Sequence, residues 1–192
     1  MKPSFAKGFT FSEVVAAVAV VAITLAFAAP SIKDMIRSNR LASATNQFVS
    51  ALNLARSEAV KRGIRVTLRK TSTNWEKGWQ LFTDNPDVKG GYGIHDGADE
   101  TLRIYAALPT NYILRGNSNV TNYITYLPSG DSNQPGSFAL CDNSDGSGKP
   151  RNGSARLIIV NSVGRVRLGI DSDKNGIPED DNKKDLISCD NP

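Results

Sequence analysis

Lys7-Gly8-Phe9-Thr10-Phe11-Ser12-Glu13, followed by Val14 to Ala29 with no further charge and then Pro30, decides how the rest of the chain is read. Phe9 to Ala29 makes about 21 residues and about 31 Å of helix, enough to cross a hydrocarbon core. A carboxylate within so apolar a run is costly, so Glu13 points to a function rather than a packing accident. Beyond Pro30, Ile32, Met35, Ile36, Leu41, Ala44, Phe48, Ala51, Leu52, Ala55 and Ala59 recur mostly at three- and four-residue spacing, with one slip between Ile36 and Leu41. Lys33, Arg37, Arg40, Asn46, Asn53, Arg56 and Lys61 fill most of the other positions, as in an amphipathic helix. Lys61-Arg62-Gly63 closes it, with cations at the carbonyl end and a glycine free to turn left-handed. The expectation is one helix of about 54 residues, roughly 80 Å long, kinked rather than ended at Pro30. Residues 9–30 are expected to form its membrane half and residues 31–62 its amphipathic half, the spine of a globular domain.

After Gly63 the period changes to two. Ile64 to Arg69 alternates, and Trp79 to Thr83 reads as a strand before the turn Asp84-Asn85-Pro86. Further strands are expected at Leu102–Ala106, Tyr112–Arg115, Tyr123–Leu127, Ser137–Leu140, Arg156–Val160 and Arg165–Ile170, divided by turn-rich stretches such as Pro128-Ser129-Gly130 and Asn143 to Gly153. Short strands after a helix predict an α+β fold over residues 63–192, an antiparallel sheet or two-sheet sandwich packed on the helical spine.

The leader and helix resemble a type IV prepilin. The resemblance implies that a dedicated peptidase removes residues 1–8 by cutting after Gly8, and that Phe9 becomes N-methylated. It also implies that Glu13, the fifth mature residue, pairs with the amino terminus of a neighbouring subunit. A plain signal anchor explains the apolar run but not Glu13 or the basic leader with Lys2 and Lys7. A secretory signal peptide cut at Ala26-Phe27-Ala28 is the sharper rival, though it has no use for Glu13. Ala55-Arg56-Ser57-Glu58-Ala59-Val60-Lys61-Arg62-Gly63, then Trp75, Gly78-Trp79 and Phe82-Thr83-Asp84, resembles the minor pilin and pseudopilin family that includes GspH, FimT and FimU. The resemblance covers residues 1 to about 84, with a weaker likeness through Ile158 to Arg167. The two tryptophans are expected to pack the spine rather than bind a ligand.

The 192 residues leave room for one soluble domain after the helix. The formal charge of +4, less Lys2 and Lys7 of the leader, does not by itself indicate a polyanion partner. Cys141 and Cys189 lie outside the apolar run, and an exported domain meets an oxidising compartment where they can join. Such a bridge closes a loop of about 48 residues and stabilises by roughly 4 kcal/mol in the chain-entropy model; two buried free thiols are the alternative.

Gly164-Arg165-Val166-Arg167 matches the GRxR pattern of FimT-type pilins, which implies contact with double-stranded DNA during uptake. Asn161-Ser162-Val163-Gly164 can turn the chain between two strands, and residues two apart on a strand share a face. Lys149, Arg151 and Arg156 lie nearby in sequence and are expected to extend the patch. The competing readings are a solvated strand face or a contact to a neighbouring pilin. Asp171, Asp173, Asn175 and Glu179, with Gly176 for the turn, resemble a calcium loop, although Asn182 stands where a bidentate acid is expected. A solvated polar loop is the alternative, and no cofactor is required. The single histidine, His95, sits in a loop with Gly90, Gly91, Gly93 and Gly97, with no nucleophile motif around it, so no catalytic residue is assigned and no enzyme is expected.

Together these features predict a minor type IV pilin taking part in pilus initiation and tip assembly. Its expected partners are other minor and major pilins, the prepilin peptidase and methylase, the inner membrane and DNA. It would cross the inner membrane once with its domain in the periplasm, and reach the cell surface in the pilus. The alternatives are a GspH-type minor pseudopilin of type II secretion and a secreted calcium-dependent binding domain cut after Ala28.

Overall fold

The computed structural model describes residues 8–85 and 91–192, the side chains of 26–31 and 34 excepted. The expected leader residues Lys2 and Lys7, the turn residue Pro86 and Gly90 lie outside the described residues. A helix, α1 (Phe11–Arg62), precedes strands β1 (Val66–Lys70), β2 (Trp79–Thr83), β3 (Thr101–Tyr105), β4 (Tyr112–Gly116), β5 (Tyr123–Tyr126), β6 (Gly136–Asp142), β7 (Ala155–Val160) and β8 (Val166–Leu168). A short 3-10 turn, Trp75–Lys77, leads into β2. The chain divides into two units, residues 1–37 and 38–192.

In the first unit the helix passes through Pro30 without ending there. Its described side chains are exposed, and Thr24 turns its hydroxyl onto the carbonyls of Val20 (3.1 Å) and Val21 (2.8 Å), so the polar group is satisfied within the helix. Among the described residues no helix is long and apolar enough to cross a membrane. The spanning helix expected at residues 9–30 is therefore not found among them, and the side chains that end that stretch lie outside the description.

In the second unit α1 buries Leu41, Ala44, Thr45, Phe48, Ala51, Leu52, Ala55 and Ala59, the three- and four-residue stripe that a helix lays against a core. The stripe begins at Leu41, not at Ile32. Ile32, Met35 and Ile36 are exposed, against expectation. Every described side chain before Leu41 is exposed, whichever side of the helix it leaves, so the packed stripe starts where burial starts and not where the apolar spacing does. Gly63 ends the helix with φ 68°, its N–H donating to Ala59 O at 3.0 Å.

The strands form two antiparallel four-stranded sheets in the orders β3-β2-β1-β5 and β4-β6-β7-β8. The registers Leu68 opposite Leu81 and Ile124, and Phe138 opposite Ile158, bring apolar residues together on one face of each sheet. From both sheets Val66, Leu68, Trp79, Leu81, Ile124, Tyr126, Leu114, Phe138, Leu140, Ile158 and Val160 enter the same core as the helix stripe. Phe48 lies at its centre, edge-on to Trp75 (5.6 Å), Trp79 (5.1 Å) and Phe138 (4.9 Å). Both tryptophans pack the spine, as expected.

The other face of the second sheet is also covered. Ala139, Cys141, Ala155, Leu157 and Ile159 pack against Leu186 and Cys189 of the C-terminal segment. The Cys141–Cys189 disulfide, with Cα atoms 6.0 Å apart, staples that segment to β6. On the first sheet, the Asp84 carboxylate accepts from Thr67 Oγ1 (2.5 Å) and Gly93 N (2.9 Å), and His95 sits edge-on to Phe82 at 5.0 Å. His95 thus fixes a loop over the sheet.

Candidate functional site

At the N-terminal end Gly8 and Phe9 precede the helix, and Phe9 is 87% exposed. Thr10 caps α1: its Oγ1 accepts from Glu13 N at 3.3 Å, while Glu13 Oε2 accepts from Thr10 N and Thr10 Oγ1 at 2.8 Å each. This reciprocal pair is a capping box, which satisfies donors that a helix start otherwise leaves open. Glu13 therefore has a partner in its own helix, a pairing legible in the Thr-x-x-Glu spacing.

β7 and β8 make a hairpin whose turn is Asn161-Ser162-Val163-Gly164, closed by Gly164 N donating to Asn161 O at 2.9 Å. Asn161 Oδ1 also accepts from Arg165 N at 2.9 Å. Val166 stands opposite Val160 and packs on the core, so its neighbours Arg165 and Arg167 leave the strand on the other face, and both are exposed. The two differ in freedom. Arg167 is ion-paired with Asp181 of the C-terminal segment, whereas no acidic partner of Arg165 is found among the described residues.

The remaining cations expected in this patch lie elsewhere. Arg156 is opposite Leu140, on the core side of the sheet, and donates to Ala155 O (2.7 Å) and Gly153 O (3.3 Å). Arg151 pairs with Asp145 at 3.1 Å, and exposed Lys149 sits in the same β6–β7 connection. That connection is at the far end of β7 from the Asn161–Gly164 turn, about 17 Å away along the strand. Nearness in sequence misled here because a strand separates its two ends.

Sequence reasoning counted Arg56 among the polar residues off the core stripe. In the fold it braces two turns, with Nε donating to Gly130 O at 2.9 Å and Nη2 to Val163 O at 3.1 Å. One guanidinium fork thereby ties α1 to the β5–β6 and β7–β8 turns. Beneath it Tyr126 is fully buried, its hydroxyl without a hydrogen-bond partner among the described residues, and burial holds the phenol far above its ordinary range. Gly164, at φ 71°, lies so close to Gly130 O that a Cβ would collide with it and would press on the Tyr126 ring.

The carboxylates of Asp171, Asp173 and Glu179 come together, with one oxygen from each within 4.8 Å of the others. Most of their capacity is used within the loop. Glu179 accepts from Ser172 N (3.1 Å), Ser172 Oγ (2.5 Å) and Asp173 N (3.3 Å). Asp173 accepts from Asn175 N and Nδ2, and Asp171 Oδ2 from Gly176 N. Asn175 turns its amide to Asp185 as well (2.7 Å). Asp171 Oδ1 is buried with no hydrogen-bond partner among the described residues. The residues offer hard oxygens suited to calcium.

The model of the family described as type II transport protein GspH matches residues 44–164, more than half of the chain. The chain belongs to the GspH family. Among solved structures it is similar to the type IV minor pilin FimU of Pseudomonas aeruginosa in two crystal forms, both at 21% identity. One has a TM-score of 0.55, covering 79% of this chain and 96% of that one; the other has 0.53, covering 77% and 98%. It also matches the minor pseudopilin EpsH of Vibrio cholerae at 13% identity and a TM-score of 0.47, covering 67% and 95%. No curated protein matches the sequence. The likeness to FimU bears out the α+β pilin fold, a helix with antiparallel sheets, for this GspH-family chain.

Proposed function

We propose that this GspH-family chain is a minor pilin of a type IV pilus, acting in filament initiation at the tip, and that its β7–β8 hairpin touches duplex DNA weakly and without sequence preference. The carrying observation is the hairpin itself, which holds Arg165 exposed and unpaired among the described residues, one residue past a turn fixed to the helix by Arg56. The shared fold with FimU, a type IV minor pilin, supports the filament role. Anchorage of residues 9–30 in the inner membrane, cleavage after Gly8 and methylation of Phe9 belong to this reading and rest on the sequence pattern. Intact mass tests the processing: a mature chain beginning at Phe9 supports it, and one beginning at Ala29 overturns it.

The DNA contact is tested with the full-length chain in a neutral detergent. Binding to unrelated duplexes is expected to be about equal and to weaken as salt rises. Arg165→Gln with Arg167→Gln removes most of it with little change in melting temperature, because exposed cations contribute little to the fold. Absence of salt-sensitive binding by the wild type would return the hairpin to a pilin-to-pilin contact.

Two other readings follow from specific observations. The family description, type II transport protein, favours a minor pseudopilin of type II secretion; loss of secretion with intact pili on deletion would establish it. The unpartnered Asp171 Oδ1 favours calcium in the Asp171–Glu179 loop. Calcium then raises the melting temperature by stabilising the folded state, and Asp173→Ala abolishes the rise. Identical melting in calcium and in chelator leaves the loop held by its own hydrogen bonds.

A further inference from the structure

We infer that the cavity between the end of β1 and edge strand β4, lined by Lys70 and Arg115, is a binding site for a single carboxylate group. The cavity has a volume of about 180 Å³ and is lined by residues other than those of the β7–β8 hairpin, so the inference does not depend on the DNA reading. The strand period sets up its cation. Lys70 shares its side of β1 with Val66 and Leu68, which enter the core, so its stem follows apolar surface and its ammonium ends at the rim of that core. Trp75 walls the cavity there, its ring fixed by Nε1 donating to Thr121 O at 3.0 Å and Val120 O at 3.2 Å.

The charges around Lys70 do not neutralise it. The residue is half-buried, and no hydrogen bond or ion pair of its ammonium is found among the described residues. Burial leads in pushing its pKa down, Arg115 and Arg69 add to the push, and Glu76 opposes them. Glu76 is already engaged: its Oε2 accepts from Arg115 Nη1 and from Leu114 N at 3.4 Å. Asn74, with its amide turned to donate to Thr73 O at 2.9 Å, presents its oxygen to Arg115 Nη2 at 3.2 Å. Asp190 is the other acid at the cavity, and its Oδ1 stands 3.7 Å from Arg115 Nη2, too far for a hydrogen bond. Its place at the rim follows from Cys189, the preceding residue, which the disulfide staples to β6. A carboxylate entering between Lys70 and Arg115 therefore finds an unmatched ammonium, one edge of a guanidinium and the exposed hydroxyl of Ser118. Glu76 and Asp190 repel a second negative charge, which favours a carboxylate over sulfate or phosphate.

The test is competitive labelling of the full-length chain, in neutral detergent, with an amine-reactive succinimidyl ester, read at each lysine by peptide mass spectrometry. A site with a Kd on the order of 10 mM is about nine-tenths filled at about 100 mM acetate, so labelling of Lys70 should fall about tenfold relative to the same concentration of chloride, with exposed Lys149 unchanged. Asp190→Asn removes the competing acid and should deepen the protection, whereas Arg115→Gln should abolish it. Acetate should also raise the melting temperature of the wild type above its value in chloride, but not that of Lys70→Gln. The α-amide of N-acetylglutamic acid carries the same group on a peptide unit. Protection equal to that by acetate assigns the site to free small acids, and protection at about a tenth of the concentration assigns it to an acidic side chain of another protein. If acetate and chloride leave Lys70 equally reactive, or if sulfate protects better than acetate, the carboxylate site is wrong. A Lys70 that becomes more reactive in Asp190→Asn yet ignores acetate shows that Asp190 is the anion of its own cavity, which overturns the site as well.

Discussion

Arg56 on α1 donates from Nη2 to the carbonyl oxygen of Val163 at 3.1 Å, across a sequence separation of 107 residues. Its Nε serves Gly130 O, so one side chain completes the hydrogen bonding of two turns, one joining the two sheets and one within the second. Arg56→Ala leaves both carbonyls without this donor and is expected to cost about 1–3 kcal/mol in chemical unfolding. Arg56→Lys recovers only part, since an ammonium lacks the fork. An unchanged unfolding midpoint in Arg56→Ala would show that water replaces the guanidinium without loss.

Gly164 and Gly146 share φ 71°, but only Gly164 is walled in by its neighbours. Gly146→Ala is expected to cost about 1 kcal/mol, the backbone strain alone. Gly164→Ala adds the collision with Gly130 O and pressure on the Tyr126 ring, for a loss on the order of 3 kcal/mol. Equal melting temperatures for the two variants would mean that the turns part at little cost.

Glu13 has two candidate roles, the helix cap seen with Thr10 and the charge required for assembly. Glu13→Gln keeps an acceptor oxygen for Thr10 N but removes the charge, whereas Glu13→Val removes both. Both variants should be processed, and both should be depleted from sheared filaments to a similar degree. Normal incorporation of Glu13→Gln alongside depletion of Glu13→Val would assign the residue to capping.

Asp180 Oδ1 accepts from Lys184 N (3.0 Å) and Asn182 N (2.7 Å). The Lys184 backbone bond leads in holding its carboxyl below the usual range, with burial opposing and the Asn182 bonds adding. Because the folded value is depressed, the stabilisation is complete above the unfolded carboxylate range and disappears as pH falls through the lower folded value. Melting temperature should therefore decline below about pH 4, and less steeply in Asp180→Asn. Parallel declines in the two proteins would remove Asp180 from the acid response.

The sequence by itself determined those parts of this protein that depend on local chemistry and period. Lys61-Arg62-Gly63 ends the helix because the last carbonyls favour cations and a left-handed glycine, and Trp79–Thr83 is a strand with the predicted bounds. Turn chemistry at Asn161–Gly164 was equally legible, as was the cysteine pair. Only tertiary structure decided which cations share a surface. Arg56 finds its partners 74 and 107 residues away, Arg167 meets Asp181 from the stapled C-terminal segment, and Arg156 falls on the opposite face and far end of its strand. Such contacts follow from sheet order and register, which depend on burial summed over both sheets and the helix, so no window of sequence around any one of these residues contains them.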